Sequence, residues 1–460
     1  MAVSQEEALD IVRGRLWPIA KAERARVAMI DKWLRWDHDK PHQPRHATRE
    51  YQGISDRAQA PWGRRVVTAA TDQMYAEGYR TGRSAENSRP WSWWQANGMD
   101  ARQGAFHESI VGYGLAYAVV LPGKSWLGEP MPVIRGLDPS QMVAFYEDPA
   151  WDDWPVYALR IRDVKVGDSM GFRLRLYDDT GVHTLVATGS GESFKYVGFQ
   201  EYTTEIGVCP VVRYTAHLDL RGRANGDIEP IIPVLGRIDQ TTFDRLVVQR
   251  FASWTVRTVA GMAKPEDDSE AAAEKLRLKV EDILIAADPD TKFGTLAASP
   301  LSPFIEAHDA DVRALAALSQ SPAHELVGTM ANLSAESLAA AEASLTRRVT
   351  RLKHGVGEDH EKTLRLSALI MGDKEAAGDD DSEIRWRDME SRSMAQAADA
   401  LGKMATMLGV PVEFLWSKVP GWTDQDVEEI KRLAEEGGPL VDLMRQLADG
   451  QTPALDPVTV

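Results

Sequence analysis

The residues closest in type to a phosphate-binding loop are Gly123-Lys124-Ser125, set off by Pro122 from the apolar run Leu115–Leu121. A P-loop wraps phosphate with backbone N–H groups, which requires a glycine five positions before its last glycine and a helix starting just behind it. Ala118 stands at the first of these places, and Trp126-Leu127-Gly128-Glu129-Pro130 replaces the helix, so the triplet reads as a turn. His38, His42 and His46 lie four apart beside Asp37 and Asp39, a spacing that would gather metal ligands on one side of a helix. Pro41 and Pro44 forbid that helix, and the segment is expected to be an exposed polar loop. Asp288-Pro289-Asp290 starts like a calcium loop, but Lys292 and Phe293 fall where oxygen ligands and a glycine are needed. Asp379-Asp380-Asp381 is expected to be a solvated loop. Arg347, Arg348, Arg351 and Lys353 form a basic cluster at helical spacing, expected on an exposed or intersubunit face, with phosphate contact as the alternative.

Neither HExxH nor GxGxxG occurs, which argues against the enzyme classes those patterns mark. The single cysteine, Cys209, excludes a disulfide framework and cysteine-based metal sites, and Val208, Pro210, Val211 and Val212 around it mark a small buried hydrophobe. No cofactor and no metal is expected. With 53 Lys+Arg against 69 Asp+Glu the formal charge is −16, the wrong sign for a protein that grips nucleic acid over a broad surface. Fourteen tryptophans are scattered rather than interleaved with basic residues, so they read as core and interface anchors. The acidic start MAVSQEEALD lacks the apolar core of a signal peptide, and no apolar run approaches the ~20 residues of a membrane span. The expectation is a soluble, unexported protein with no membrane contact.

At 460 residues the chain calls for about three domains. Residues 1–116 read as mostly helical. Leu9, Val12, Leu16, Ile19 and Ala20 keep three- and four-residue spacing, and Val27, Ile30 and Leu34 resume it after a polar turn. Residues 117–215 change character: Val133–Leu137, Val156–Ile161, Phe172–Tyr177 and Val182–Val186 are short strand-like runs between Gly, Pro and Asp-rich turns. A long helix is predicted from Asp227 to Met262. A small charged insertion follows, with a helix at Ala271–Lys279, a strand at Ile283–Ala287 and a turn at Asp288–Gly294. A second helix spans Ala307–Ser319. Pro322–Leu333 reads as a loop of small residues, and Ser334–Met371 as a helix kinked at Gly355 and Gly357, with the stripe Leu338, Ala341, Leu345, Val349, Leu352. Two further helices are expected, one ending at Gly409 and one starting at Thr423. The fold class is α+β, mainly helical.

The order of these segments resembles the portal proteins of tailed bacteriophages, of the siphophage type, over roughly residues 15–450. Trp94-Gln-Ala-Asn97-Gly-Met-Asp100, then Gly112-Tyr-Gly114-Leu-Ala-Tyr117, is similar to the N-terminal part of actinobacteriophage portals. Asp227-Ile-Glu-Pro230-Ile-Ile-Pro233, leading into Arg237-Ile-Asp239-Gln-Thr-Thr-Phe-Asp244-Arg, resembles the start of their stem helix. Asn332-Leu-Ser334-Ala-Glu336-Ser-Leu338, leading into Ala341-Glu342, resembles the loop and helix after the second stem helix.

The resemblance implies a dodecameric ring at one capsid vertex, a virion component through which double-stranded DNA enters and leaves. It implies a wing (residues 1–226 and 334–384), stem helices (227–262 and 304–320), a clip (263–303), a tunnel loop (321–333) and a C-terminal crown (385–460). In the clip, Lys264, Glu266, Asp267, Asp288, Asp290 and Lys292 would meet the terminase large subunit and later the head–tail adaptor. In the tunnel loop Glu325, Gly328, Thr329, Met330 and Asn332 would face DNA. Arg347, Arg348 and Arg351 would be intersubunit or DNA-proximal. The major capsid and scaffolding proteins complete the implied partners. The alternatives are a packaging nuclease or NTPase, which would need a carboxylate cluster or phosphate loop, and another structural part such as an adaptor or capsid protein.

Overall fold

The structure is a computed structural model that describes residues 3–43, 49–81, 87–166, 169–189, 191, 193–252, 257–260, 292–295, 300–328, 335–387, 394–416, 418, 419, 422 and 424–435. The chain divides into two units, Met1–Arg387 and Asp388–Val460. Among the described residues no helix is long and apolar enough to cross a membrane.

Ser4 and Glu7 close a reciprocal capping box at the start of α1 (Gln5–Ile11). The helix continues through a π segment, Val12–Leu16, into α2 (Trp17–Leu34) with Pro18 in its first turn. The buried stripe here is Ala8, Val12, Leu16 and Ala20. A strict four-residue repeat drifts around a 3.6-residue helix, and the wider π turn takes up that drift, keeping the stripe over one surface. The polar turn expected between Ala20 and Val27 is instead continuous helix, with Glu23, Arg24 and Arg26 half-buried.

That surface is a five-stranded antiparallel sheet in the order β4 (Met142–Phe145), β5 (Tyr157–Val166), β6 (Ser169–Tyr177), β7 (Gly181–Thr188), β8 (Ser193–Glu201). Val143, Leu159, Ile161, Leu174, Leu176, Leu185 and Ala187 cluster with the helical stripe as one core. A three-stranded sheet lies beside it, β3 (Pro130–Leu137), β2 (Leu115–Lys124) and β9 (Val211–Thr215), again antiparallel. Gly123-Lys124-Ser125 ends β2 and turns into β3, the Ser125 N–H donating to the Glu129 carbonyl at 2.7 Å. Cys209 is buried between the sheets with Tyr177 and Val211, as expected.

Past α3 (Arg49–Ala58), the largest core gathers α4 (Trp62–Thr71), α5 (Arg89–Ala96), α6 (Met99–Tyr113) and β2 around one 36-residue helix, Ala335–Ile370. At 1.5 Å per residue that helix is about 54 Å long. Gly355 and Gly357 lie inside it without breaking it. Its stripe runs on past Leu352 through Val356, His360, Thr363 and Ser367, all buried. The buried polar members are paired. His107 Nδ1 lies 3.2 Å from the Met74 carbonyl, which can only accept, so Nδ1 carries the proton. His107 Nε2 then accepts from His360 Nε2 at 3.0 Å, and His360 Nδ1 accepts from the Tyr214 hydroxyl at 3.0 Å. Thr363, 2.6 Å from that hydroxyl, ends the chain. A single carbonyl thus fixes both tautomers.

The small sheet β1 (Ala76–Arg80) with β12 (Glu383–Trp386) ties the end of this unit to its beginning. The second unit holds helices Met394–Leu408, Val412–Trp416 and Asp424–Glu435, with Gly409 at φ +66 ending the first, where a glycine stop is expected.

Candidate functional site

After β9 the chain passes a tight contact before leaving the core. Gly114 sits at φ +87, and a Cβ there would lie 2.5 Å from Asn225 C and Gly226 N. A Cβ on Gly226 would lie 2.3 Å from the Gly112 carbonyl oxygen, so both positions demand glycine. Asp227 follows, its N–H donating to the Val111 carbonyl at 2.9 Å. A 3-10 turn, Glu229–Ile231, opens α7 (Ile232–Ala252).

The chain returns on α8 (Ser302–Ser319), antiparallel to α7. Val234, Leu235 and Ile238 pack with Val312, Leu315 and Ala316 in the main core. Arg237 and Asp311 pair across the two helices at 2.6 Å, and the Thr241 hydroxyl donates to the same carboxylate at 3.1 Å. Beyond Phe243 on α7 and before Asp311 on α8 the described side chains are half-buried or exposed. The two helices therefore form an arm rooted in the core. Past α7 lies β10 (Arg257–Ala260), paired antiparallel with β11 (Lys292–Thr295). The helix predicted to Met262 therefore does not reach it, because Arg257–Ala260 is a strand. The β-branched pair Thr258-Val259 favours a strand over a helix there. Phe293 and Gly294, expected in a turn, belong to β11. Ala271–Lys279, Ile283–Ala287, Lys264, Glu266, Asp267, Asp288 and Asp290 lie outside the described residues, and Lys292 opens β11 opposite Ala260.

Arg348 locks the root of the arm. It donates through Nε and Nη2 to one Asp227 oxygen at 3.1 and 2.5 Å, and through Nη1 to the Ser319 carbonyl at 2.7 Å. One guanidinium thus joins the outgoing chain, the end of the returning helix and the long helix, here α10 by chain order (Ala335–Ile370). The Ser319 carbonyl is one of the acceptors a helix C-terminus leaves unpaired, so the contact is also a cap. His217 Nε2 lies 3.5 Å from the other Asp227 oxygen. Burial pushes the Asp227 carboxyl up, and His217 with Arg348 more than offsets it, leaving it below the ordinary carboxylate value. The basic cluster thus splits: Arg347 and Arg351 are exposed, whereas Arg348 is 3% exposed and fully engaged, so it is no part of an outward basic face. Charge type and spacing alone do not separate the three. The helical stripe does, because Leu345, Arg348, Val349 and Leu352 share one face.

His38 corrects the expectation of an exposed histidine loop. Its ring stacks on Trp33 at 3.8 Å and its Nε2 lies 2.5 Å from Asp239 of α7, both groups buried. The His42 N–H donates to Gln240 Oε1 at 2.7 Å, so the segment fastens the N-terminal helices to the arm. His46 lies outside the described residues.

The segment expected to be a loop from Pro322 begins as a short helix, α9 (Ala323–Val327), capped by Gly328 at φ +73. Glu325 on it pairs with Arg65 of α4 at 2.7 Å. Thr329, Met330 and Asn332 lie outside the described residues. His324, Glu325 and Glu342 place ligand atoms within 4.8 Å of one another. Of the three, Glu325 is already engaged by Arg65. Asp380 pairs with Arg365 at 2.7 Å from an exposed loop, as a solvated acidic turn should.

A second charged feature went unread in the sequence. Leu159-Arg160-Ile161-Arg162 on β5 and Arg173-Leu174-Arg175-Leu176 on β6 alternate strictly, and the register sets Arg160 opposite Arg175 and Arg162 opposite Arg173. Period-two alternation of one charged type was the available signal.

The chain matches the family described as phage portal protein, SPP1 Gp6-like, over residues 13–438. It is 26% identical over 405 residues to the portal protein of Mycobacterium phage D29, covering 82% of this chain and 79% of that one. It is also 26% identical over 404 residues to the portal protein of Mycobacterium phage L5, with the same coverage. The chain belongs to the SPP1 Gp6-like phage portal protein family, a structural family of bacteriophage.

Proposed function

We propose that twelve copies close into a ring at one capsid vertex, forming the channel through which double-stranded DNA is packaged and ejected. The observation that carries this is the two-helix arm rooted by Arg348. A ring needs a rigid lever that presents docking elements away from the core, and α7, α8 and the paired strands β10 and β11 supply that form. In this reading α7 and α8 are the stem, residues 263–303 the clip that meets the terminase large subunit and then the head–tail adaptor, and residues 321–333 the tunnel loop. The unit Met1–Arg387 otherwise makes the wing, contacting capsid and scaffolding proteins, and the C-terminal unit the crown. Twelve copies at −16 each carry −192, and an acidic channel repels phosphate, so DNA slides instead of sticking.

Negative-stain averages of the purified protein, with mass photometry on the same sample, test the ring. Twelve or a neighbouring number of subunits around a duplex-wide hole is expected, and a stable compact dimer would overturn the reading. Lysines at Thr329 and Asn332 should slow or stall packaging, because they add phosphate-binding charge to the tunnel loop. Packaging at the normal rate in that double variant would remove the loop assignment.

A further inference from the structure

The face of the five-stranded sheet turned away from α1 and α2 begins apolar and becomes cationic within two residues. Ala158 and Tyr177, an opposed pair on β5 and β6, pack against the three-stranded sheet with Leu137 and Val211. The next two opposed pairs on the same face are Arg160–Arg175 and Arg162–Arg173. Arg135 of β3 joins them around a concavity of about 100 Å³ that these five side chains line. The row from Arg162 through Arg173 continues across Val186 to exposed Lys195 on β8. None of the five arginine side chains makes a hydrogen bond or ion pair with a described residue. Asp163, next to Arg162 in the chain, pairs with Arg24 at 3.1 Å, and Asp138 accepts from Ser140 and Gln141 in its own turn. Asp138 also borders the adjoining cleft of about 460 Å³, with Arg102, Arg135 and Arg160.

Like charges set directly opposite each other weaken a sheet. A fold that keeps two such pairs, unneutralised, on one face holds a site for an external anion. We propose that this arginine ladder binds the phosphate backbone of duplex DNA, at a place separate from the tunnel loop; the proposal rests on the portal reading for the presence of DNA. Guanidinium forks engage phosphate oxygens in pairs. Residues two apart on a strand lie about 7 Å from one another and neighbouring strands about 5 Å, which makes a regular grid of forks on a rigid surface. The five arginines line the concavity with no aromatic or aliphatic side chain among them, whereas a docked protein segment would call for a buried aromatic or aliphatic anchor. A phosphate backbone needs none. Because the chain as a whole is at −16, the ladder would hold DNA at this face and repel it elsewhere.

The test is fluorescence anisotropy of a labelled 30-bp duplex with the full-length protein, between about 50 and about 200 mM salt. Wild type is compared with R160Q/R162Q/R173Q/R175Q and with a charge-matched control at exposed sites elsewhere, R13Q/K21Q/R64Q/R221Q. Losing four phosphate contacts should lower the salt slope by about 3–4, so that wild type loses about 100-fold more affinity over this range than the ladder variant. The control should keep the wild-type slope. Mass photometry on all three reports assembly independently. Unchanged slope and affinity in the ladder variant would overturn the proposal, and if ring formation were lost at the same time the face would be a contact between copies. Ladder-dependent binding by a wild type that forms no rings would uphold the ladder and count against the ring. R162T/R173T, which relieves an opposed pair with strand-forming residues, is the second variant if the fourfold change does not fold.

Discussion

Arg348 and the β5–β6 arginines are the same side chain put to opposite ends. Arg348 is buried, and the guanidinium is spent on Asp227 and on the Ser319 carbonyl. Arg162, Arg173 and Arg175 are exposed, opposed by one another or beside another arginine, and partnered by nothing among the described residues. A desolvated guanidinium is tolerable only when its donors are taken, so Arg348 belongs to the fold. A solvated one facing its own kind makes no such contribution, so the ladder's use has to lie outside the chain. The contrast teaches that basic residues in a strongly acidic protein sort by the partner they find. Local charge density does not do it.

The sharpest way to break the comparison is at Arg348. R348M should destabilise the Met1–Arg387 unit by about 3–5 kcal/mol, because Asp227 is left buried without its cation and α8 loses a cap. D227N/R348M should recover a good part of this, since it removes the stranded charge along with its partner. Urea melts of the three proteins check it. The pH dependence has a definite sign. Asp227 is held below its ordinary value, so its stabilisation is present above an unfolded pKa of about 3.9 and is lost as pH falls through the lower folded value. R348M should flatten that acid limb. A single variant as stable as wild type would place Arg348 with the ladder.

A third region, where charge is excluded instead of paired or displayed, sharpens the contrast. Burial pushes His107 down to about 4 and His360 well below its ordinary value. The unfolded chain takes up protons near pH 6.5, whereas the folded histidines refuse them, so stability falls as pH drops through 6.5 towards 4. Asp359 opposes this: burial raises it to about 7, and its contribution is lost as pH rises from about 3.9 to that value. The two effects share a window, so a difference between variants isolates the histidine. H107F removes one titration, and its stability gap to wild type should shrink by about 2 kcal/mol between roughly pH 7.5 and pH 5. Thermal melts at the two pH values suffice, and a constant gap would mean that His107 is open to solvent and charged.

These regions differ in how far the sequence disclosed them. The arm was legible because Ile231, Leu235 and Ile238 keep helical spacing behind a proline-marked start, although its outward end was overrun where β-branched residues take over. The strands of 117–215 are legible by alternation, but β4 and β8 are not, because Met142–Phe145 is short and the alternation of Ser193–Glu201 slips at Val197. The stripe of the long helix was followed to Leu352 and lost at Gly355. Its remaining buried positions include His360, Thr363 and Ser367, polar residues that only a partner such as His107, some 250 positions away, makes acceptable in a core. His38 was misplaced for the same reason: Asp239, which satisfies it, is 201 residues distant. Local pattern reveals what a residue offers, and burial of a polar group depends on what the fold brings to it. The tunnel-loop and clip residues named from the family resemblance fall mostly outside the described residues, so the candidate site was legible in its root and not in its tip.

The smallest effects fall on the exposed arginines and divide them once more. R347A and R351A should each change stability by less than about 0.5 kcal/mol, as surface changes without a partner lost usually do. The Arg351 contact to Gln320 is long, at 3.3 Å, and exposed. R162T/R173T should raise stability by about 0.5–1 kcal/mol, because it removes an opposed like-charge pair and puts strand-forming residues in its place. A gain in stability that comes with a loss of duplex binding is the mark of a site maintained for its ligand against the interest of the fold. The thermal midpoint of R162T/R173T against wild type checks the first half. A fall instead of a rise would mean that the ladder arginines are held by the chain itself, and the distinction from Arg348 would then collapse to one of exposure alone.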